Sequence, residues 1–187
     1  MPLKIGGTRG RSGVQPTNLS FRFECTCDPQ GRVHEKRMSP WLLRLGMNLW
    51  PPYLGAGIRV DHIAHDYRSA TVSLRRRWFN GSRFGSHFGG SLYAMTDPFF
   101  ALMVLHNLPP DYRVWDKAAA VEFLAPARGR VWARFELHDA DLQHILKMTE
   151  SGDKHLHLFG VDVRDDEGMT VARVEKVVYV RRAKTIA

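Results

Sequence analysis

The residues from Ser91 to His106 are apolar on nearly every side of a helix, so the rest of the chain has to wrap around them. Leu92, Met95, Phe99, Leu102 and His106 recur at helical spacing on one side, and Tyr93, Phe100 and Val104 on nearly the opposite side. A helix that is apolar all round is buried all round. Asp97 falls within the second stripe. One stripe is expected to pack on a sheet, leaving the other for a partner subunit or an apolar ligand.

The flanking sequence supplies that sheet. Ile58–His65 and Ser69–Arg77 read as a hairpin, the second strand alternating Ala70, Val72 and Leu74 with polar residues. Tyr112–Leu124 and Arg130–His138 read as two more strands, the latter placing Val131, Ala133, Phe135 and Leu137 on one face. His155–Arg164 and Thr170–Arg182 complete six. Two helices precede and interrupt them. One is Pro40–Leu49, with Leu42, Leu45 and Leu49 at helical spacing and Pro51-Pro52 as its stop; the other is capped by Asp139, carries Leu142, Ile145 and Leu146, and has Gly152 as its stop. The expected class is α+β, a single domain with a six-stranded, mostly antiparallel sheet around one long central helix.

Residues 1–37 differ from the rest. They hold five glycines and no sustained period, and seven Lys/Arg against three Asp/Glu, so half of the net +8 lies in a fifth of the chain. They read as a basic flexible extension ahead of a domain spanning 38–187, with Met38 as an alternative start of translation. Such an excess favours polyanionic partners without choosing among nucleic acid, anionic lipid or a phosphorylated ligand. Cys25 and Cys27 fit neither a disulfide framework nor a complete zinc site, and no run approaches a membrane span. A reduced, cytoplasmic protein is the default expectation.

The chemistry concentrates at the start of the central helix, in His87-Phe88-Gly89-Gly90-Ser91-Leu92-Tyr93-Ala94-Met95-Thr96-Asp97. Backbone N–H groups freed at a glycine-rich helix start can hold a carbonyl oxygen or an anion. A carboxylate two turns further on can act as base or nucleophile on the group held there, and burial beside Tyr93 and Phe100 would strengthen it as a base. The competing reading makes Asp97-Pro98 the cap of a second helical segment. The stripe Leu92–Met95–Phe99–Leu102 keeps its period across the proline, which favours one kinked helix.

From Trp50 to Arg182 the sequence resembles the hotdog-fold superfamily, and most closely a poorly characterised bacterial group regarded as tetrameric acyl-CoA thioesterases. The resemblance rests on the His87–Pro98 phrase, on Tyr112-Arg113-Val114-Trp115-Asp116-Lys117-Ala118-Ala119, and on Val174-Glu175-Lys176. It implies that Gly89 and Gly90 polarise a thioester carbonyl through their N–H groups and that Asp97 activates water or attacks directly. It also implies a homodimer or homotetramer with the pocket between subunits, an acyl thioester substrate, and no cofactor beyond the coenzyme A of that substrate. The sequence departs from the better-understood members by carrying Phe88 where they have His or Asn before the glycines. His87 is either its substitute or a solvent-facing loop residue.

Further candidates are weaker. His87, Phe88, Ser91, Tyr93, Phe100, Asn80 and Arg83 form the expected substrate-binding set. Arg75-Arg76-Arg77 suits the phosphates of a coenzyme A nucleotide, but a solvated basic strand end is the commoner reading of such a cluster. Asp116 and Lys117 point to opposite faces of a strand and read as an edge charge pair. His62 with His65, and His155 with His157, have chelating spacing, yet no acidic or cysteine ligand joins either pair at metal-site spacing, so surface histidines are the better reading and no metal is expected. A non-catalytic acyl-binding protein is the main alternative; a nucleic-acid-associated protein is a weaker one, lacking any reader element.

Overall fold

The computed structural model of the chain describes residues 38–183. The expectations placed on residues 1–37, including the flexible extension and the Cys25/Cys27 pair, lie outside the described residues, as do the last four residues. Helices α1 (Pro40–Leu49) and α2 (Pro51–Ala56) lead into the hairpin β1 (Ile58–Ile63) and β2 (Ser69–Arg75). The central helix follows as α3 (Gly89–Ala94) and α4 (Phe99–Asn107), then β3 (Tyr112–Phe123), β4 (Arg130–Glu136), α5 (Asp139–Met148), β5 (Lys154–Asp165) and β6 (Thr170–Arg182). The strands form one sheet in the order β1-β2-β4-β5-β6-β3, every neighbouring pair antiparallel.

The sheet curls around the central helix as the all-round apolar pattern requires. Phe99 and Phe100 both pack on Phe135 of β4, with ring centroids at 4.8 and 5.2 Å, and Phe100 stacks on Phe159 of β5 at 4.5 Å. Phe100 and Val104 are as buried as Phe99 and Met103. The second stripe is therefore covered within the chain rather than left for a ligand, except at Tyr93 and Asp97.

Three local expectations change. Pro51-Pro52 ends α1 but also opens α2, where prolines sit without loss because the first N–H groups have no intrahelical acceptor. In α1 the buried residues are Leu43 and Met47, while Leu42, Leu45 and Leu49 are exposed. The Asn48 amide meanwhile bonds both backbone groups of Val60, at 3.0 and 2.7 Å, and so closes the open side of edge strand β1. The third change is in the central helix, which is interrupted over residues 95–98. Thr96 and Asp97 N–H groups bond back only three residues, the Thr96 hydroxyl donates to the Tyr93 carbonyl at 2.8 Å, and Pro98 has no N–H to continue the ladder. Pro98, not Asp97, is the cap residue of α4.

Replacing Phe135, which is fully buried, by Ala removes the ring that seats both Phe99 and Phe100. Urea unfolding of Phe135→Ala should show a loss of about 3–5 kcal/mol.

Candidate functional site

On β6 the inward positions alternate as Val174, Lys176, Val178 and Val180, so a lysine occupies a place where the period demands an apolar side chain. Its side chain is 0% exposed. The Lys176 ammonium donates to Asp97 Oδ1 at 2.8 Å and pairs with Asp116 Oδ2 at 3.0 Å. It also lies 5.1 Å from the centroid of the Tyr93 ring. Burial works against its charge, but the bonds to Asp97 and Asp116 outweigh this and hold the amine above its ordinary value. Lysines are almost never fully buried unless paired, and this one has two partners.

Asp116 reaches Lys176 because β3 carries a bulge between Asp116 and Ala118. Lys117 is the extra residue, and across it the inward parity of β3 switches from Asp116, opposite Val178, to Ala119, opposite Lys176. The expected Asp116–Lys117 edge pair is thus replaced by a buried Asp116–Lys176 pair. Burial raises the Asp116 carboxyl above its usual value despite Lys176, and its Oδ1 is buried without a hydrogen-bond partner.

Asp97 sits in the break between α3 and α4, beside Tyr93 and Lys176. Its side chain is 51% exposed, against 21% for Asp116, so the desolvation expected from the sequence falls on Asp116 instead. Two carboxylates around one ammonium leave a net negative charge, presented to solvent through Asp97. The Tyr93 phenol is raised first by burial and then by its hydrogen bond with Asp97, and Tyr53, whose hydroxyl donates to the Ala94 carbonyl at 3.4 Å, is raised by burial and by the Asp97 charge.

Gly89 and Gly90 are the first two residues of α3, where N–H groups have no intrahelical acceptor. A Cβ at either would displace an exposed ring: at Gly89 it would lie 2.9 Å from Phe123 Cζ, and at Gly90 it would meet the Phe88 ring. Phe88 is 62% exposed at the cap position, and Ser91 is buried. His87 is neither solvent-facing nor aimed at Asp97. It is buried, with Nε2 donating to the Gly129 carbonyl at 2.9 Å, and burial holds its imidazole below the ordinary value. Asn80 is committed to the loop, its Oδ1 accepting from Arg77 N–H at 2.5 Å and its Nδ2 donating to the Ala56 and Arg75 carbonyls. Arg83 and Arg75–Arg77 are exposed, and Phe100 is in the core. The structure thus gathers Tyr93 and Asp97 with Lys176 and Asp116, keeps Gly89 and Gly90 at the start of the same helical segment as Tyr93, and buries His87, Asn80 and Phe100.

A single antiparallel sheet of six strands around a central helix is the hotdog fold. The chain is similar to a Pseudomonas aeruginosa protein of unknown function, PA5026, described as a probable thioesterase, with a TM-score of 0.68 at 15% identity over 76% of this chain and 95% of that one. It is also similar to the thioesterase HI1161 of Haemophilus influenzae, with a TM-score of 0.57 at 15% identity over 81% and 96% of the two chains. A mutant of the Pseudomonas aeruginosa thioesterase PA1618 matches with a TM-score of 0.57 at 15% identity over 79% and 97%. Residues 40–180 match the family described as a domain of unknown function, DUF4442, and the chain belongs to that family. No curated protein matches the sequence. Among the described residues no helix is long and apolar enough to cross a membrane.

Lys176, Tyr53 and Tyr93 all have folded values above their unfolded ones, so each contributes stability that is complete below its unfolded value and is lost as pH rises through the folded one. Unfolding midpoints in urea should therefore fall progressively from about pH 10 upward, with Tyr53→Phe flattening that fall. At neutral pH, Lys176→Met strands two carboxylates and should cost about 3–5 kcal/mol, part of which Lys176→Met/Asp116→Asn restores.

Proposed function

We propose that the chain hydrolyses an acyl thioester, with an acyl-CoA as substrate, to a free acid and a thiol. The observation that carries this reading is the pairing of Asp97, half-exposed in the helix break and fixed by Lys176, with the free N–H groups of Gly89 and Gly90 one helical segment away. In the proposed reaction the thioester oxygen rests at the start of α3, where N–H groups meet the charge that develops on it. Asp97 takes a proton from water as the water oxygen bonds to the acyl carbon. Collapse of the tetrahedral intermediate breaks the C–S bond, and the proton passes to the leaving thiolate. Direct attack by the carboxylate, through an acyl anhydride, is the other route open to the same residue. Lys176 acts as a positioning residue, holding Oδ1 so that the rest of the carboxylate faces the substrate. Similarity of fold to proteins described as thioesterases supports the reaction class.

The substrate lies against Phe88 and Phe123, whose exposed rings flank the glycine pair, and against Tyr93 beside Lys176, with Ser91 in the first turn of α3 and the exposed Arg83 meeting a phosphate. A second copy of the chain completes the pocket as a homodimer or larger assembly. The outer edge of β3 is uncovered, with Trp115, Ala118, Ala119, Ala120 and Phe123 exposed, unlike the edge of β1 that Asn48 closes. Phe88 favours a second reading, an acyl-binding protein without turnover, because it offers no hydrogen bond to orient a thioester.

Thiol release from acyl-CoAs of graded chain length separates the two. Wild-type protein should release thiol, and Asp97→Asn should be slower by about 100-fold or more while still binding acyl-CoA. Binding without release by the wild type, at every chain length, would leave only the second reading standing.

A further inference from the structure

Away from the glycine pair, three histidines meet where α5 lies over β5. His155 and His157 take inward positions on β5, in the same alternation as Phe159, and His144 comes down from α5. One ring nitrogen from each lies within 4.8 Å of the other two. The ring centroids form a near-equilateral triangle, with sides of 5.1, 5.8 and 5.5 Å. His155 Nε2 and His157 Nδ1 are 3.3 Å apart.

We propose that His144, His155 and His157 form a binding site for a divalent transition-metal ion of the kind that prefers imidazole, zinc above all. A tetrahedral ion with metal–nitrogen bonds near 2.0–2.1 Å sets its ligand nitrogens roughly 3.3–3.4 Å apart, the spacing that His155 and His157 already have. His144 is exposed, its ring nitrogen lies within 4.8 Å of the other two, and a rotamer adjustment of a surface side chain brings it to the same point. The far side of His157 carries the feature most typical of a metal-bound imidazole. Its Nε2 faces Asp141 Oδ1 at 3.5 Å, so a proton held on Nε2 leaves Nδ1 to accept from His155 Nε2, or to ligate an ion once that proton moves to His155 Nδ1. Asp141 is itself fixed, because its Oδ2 accepts the His138 N–H at 3.1 Å in the first turn of α5. The fourth position opens to solvent on the His144 side. An ion there would tie α5 to β5.

The site also explains why the spacing of His155 and His157 alone fell short of a metal site in the sequence. The third histidine stands eleven residues earlier, on a different element, and only the packing of α5 on β5 brings it in.

The test uses the full, tag-free chain titrated with zinc chloride at neutral pH by calorimetry, with thermal unfolding measured in parallel and cobalt(II) absorption reporting tetrahedral geometry. One ion per chain should bind with micromolar or tighter affinity and raise the unfolding temperature. His144→Ala, at an exposed position, and the double variant His155→Ala/His157→Ala should each weaken binding by more than 10-fold and lose the thermal shift, and Asp141→Asn should weaken it by about 10-fold. Cys25→Ser/Cys27→Ser should leave it unchanged. Absence of saturable binding to the wild-type chain overturns the proposal. So does binding that survives the histidine changes and vanishes with the cysteines.

Discussion

The buried ammonium of Lys176 is the constraint around which the site is arranged. An unpaired charge at a position with no solvent exposure would cost several kcal/mol, so the fold has to bring carboxylates to it. Asp97 comes from the helix and Asp116 from the edge strand, and each requires a local irregularity. The helix breaks at residues 95–98, where Thr96 and Pro98 interrupt the ladder, and β3 bulges at Lys117. Both irregularities weaken regular hydrogen bonding, and both are compensated through the same cation. The bulge, the break and the lysine form one device on three elements.

That device divides its two acids by environment. Asp116 is the more enclosed, with its Oδ1 unpartnered and its carboxyl raised by burial, whereas Asp97 keeps half of its side-chain surface in solvent. The acid at the mouth is thus held in a fixed orientation by a group that solvent does not reach. Asn48 and Asn80 do comparable work with neutral side chains. One closes the backbone of edge strand β1, and the other ties together the loop that leads to the glycine pair.

Much of the architecture was legible in the sequence because it rests on period and on local stops. The all-round apolar run demanded a wrapping sheet, and alternation located all six strands to within two residues at each end. β6 begins and ends at the expected residues because its alternation is unbroken from Val174 to Val180. The same alternation held an unread signal: Lys176 among inward valines announces a buried charge, and a buried lysine announces carboxylate partners. The stripes of α1 were misleading, since Leu42, Leu45 and Leu49 have helical spacing yet face outward, while Leu43 and Met47 meet the sheet. Period establishes that a helix is amphipathic, but which of two apolar faces is buried depends on what lies beneath it.

By itself, then, the sequence determined the class of fold, the glycine pair at the start of the central helix and the position of Asp97 seven residues beyond Gly90. These follow from local preferences and from the need to bury apolar surface, which are properties of short stretches of chain. Tertiary structure alone decided which groups meet: Lys176 with Asp97 and Asp116, His87 with Gly129, His144 with the β5 histidines. The partners in these contacts lie between 11 and 79 residues apart along the chain. Contacts across such separations are fixed by strand register and by the curl of the sheet, which no single segment encodes.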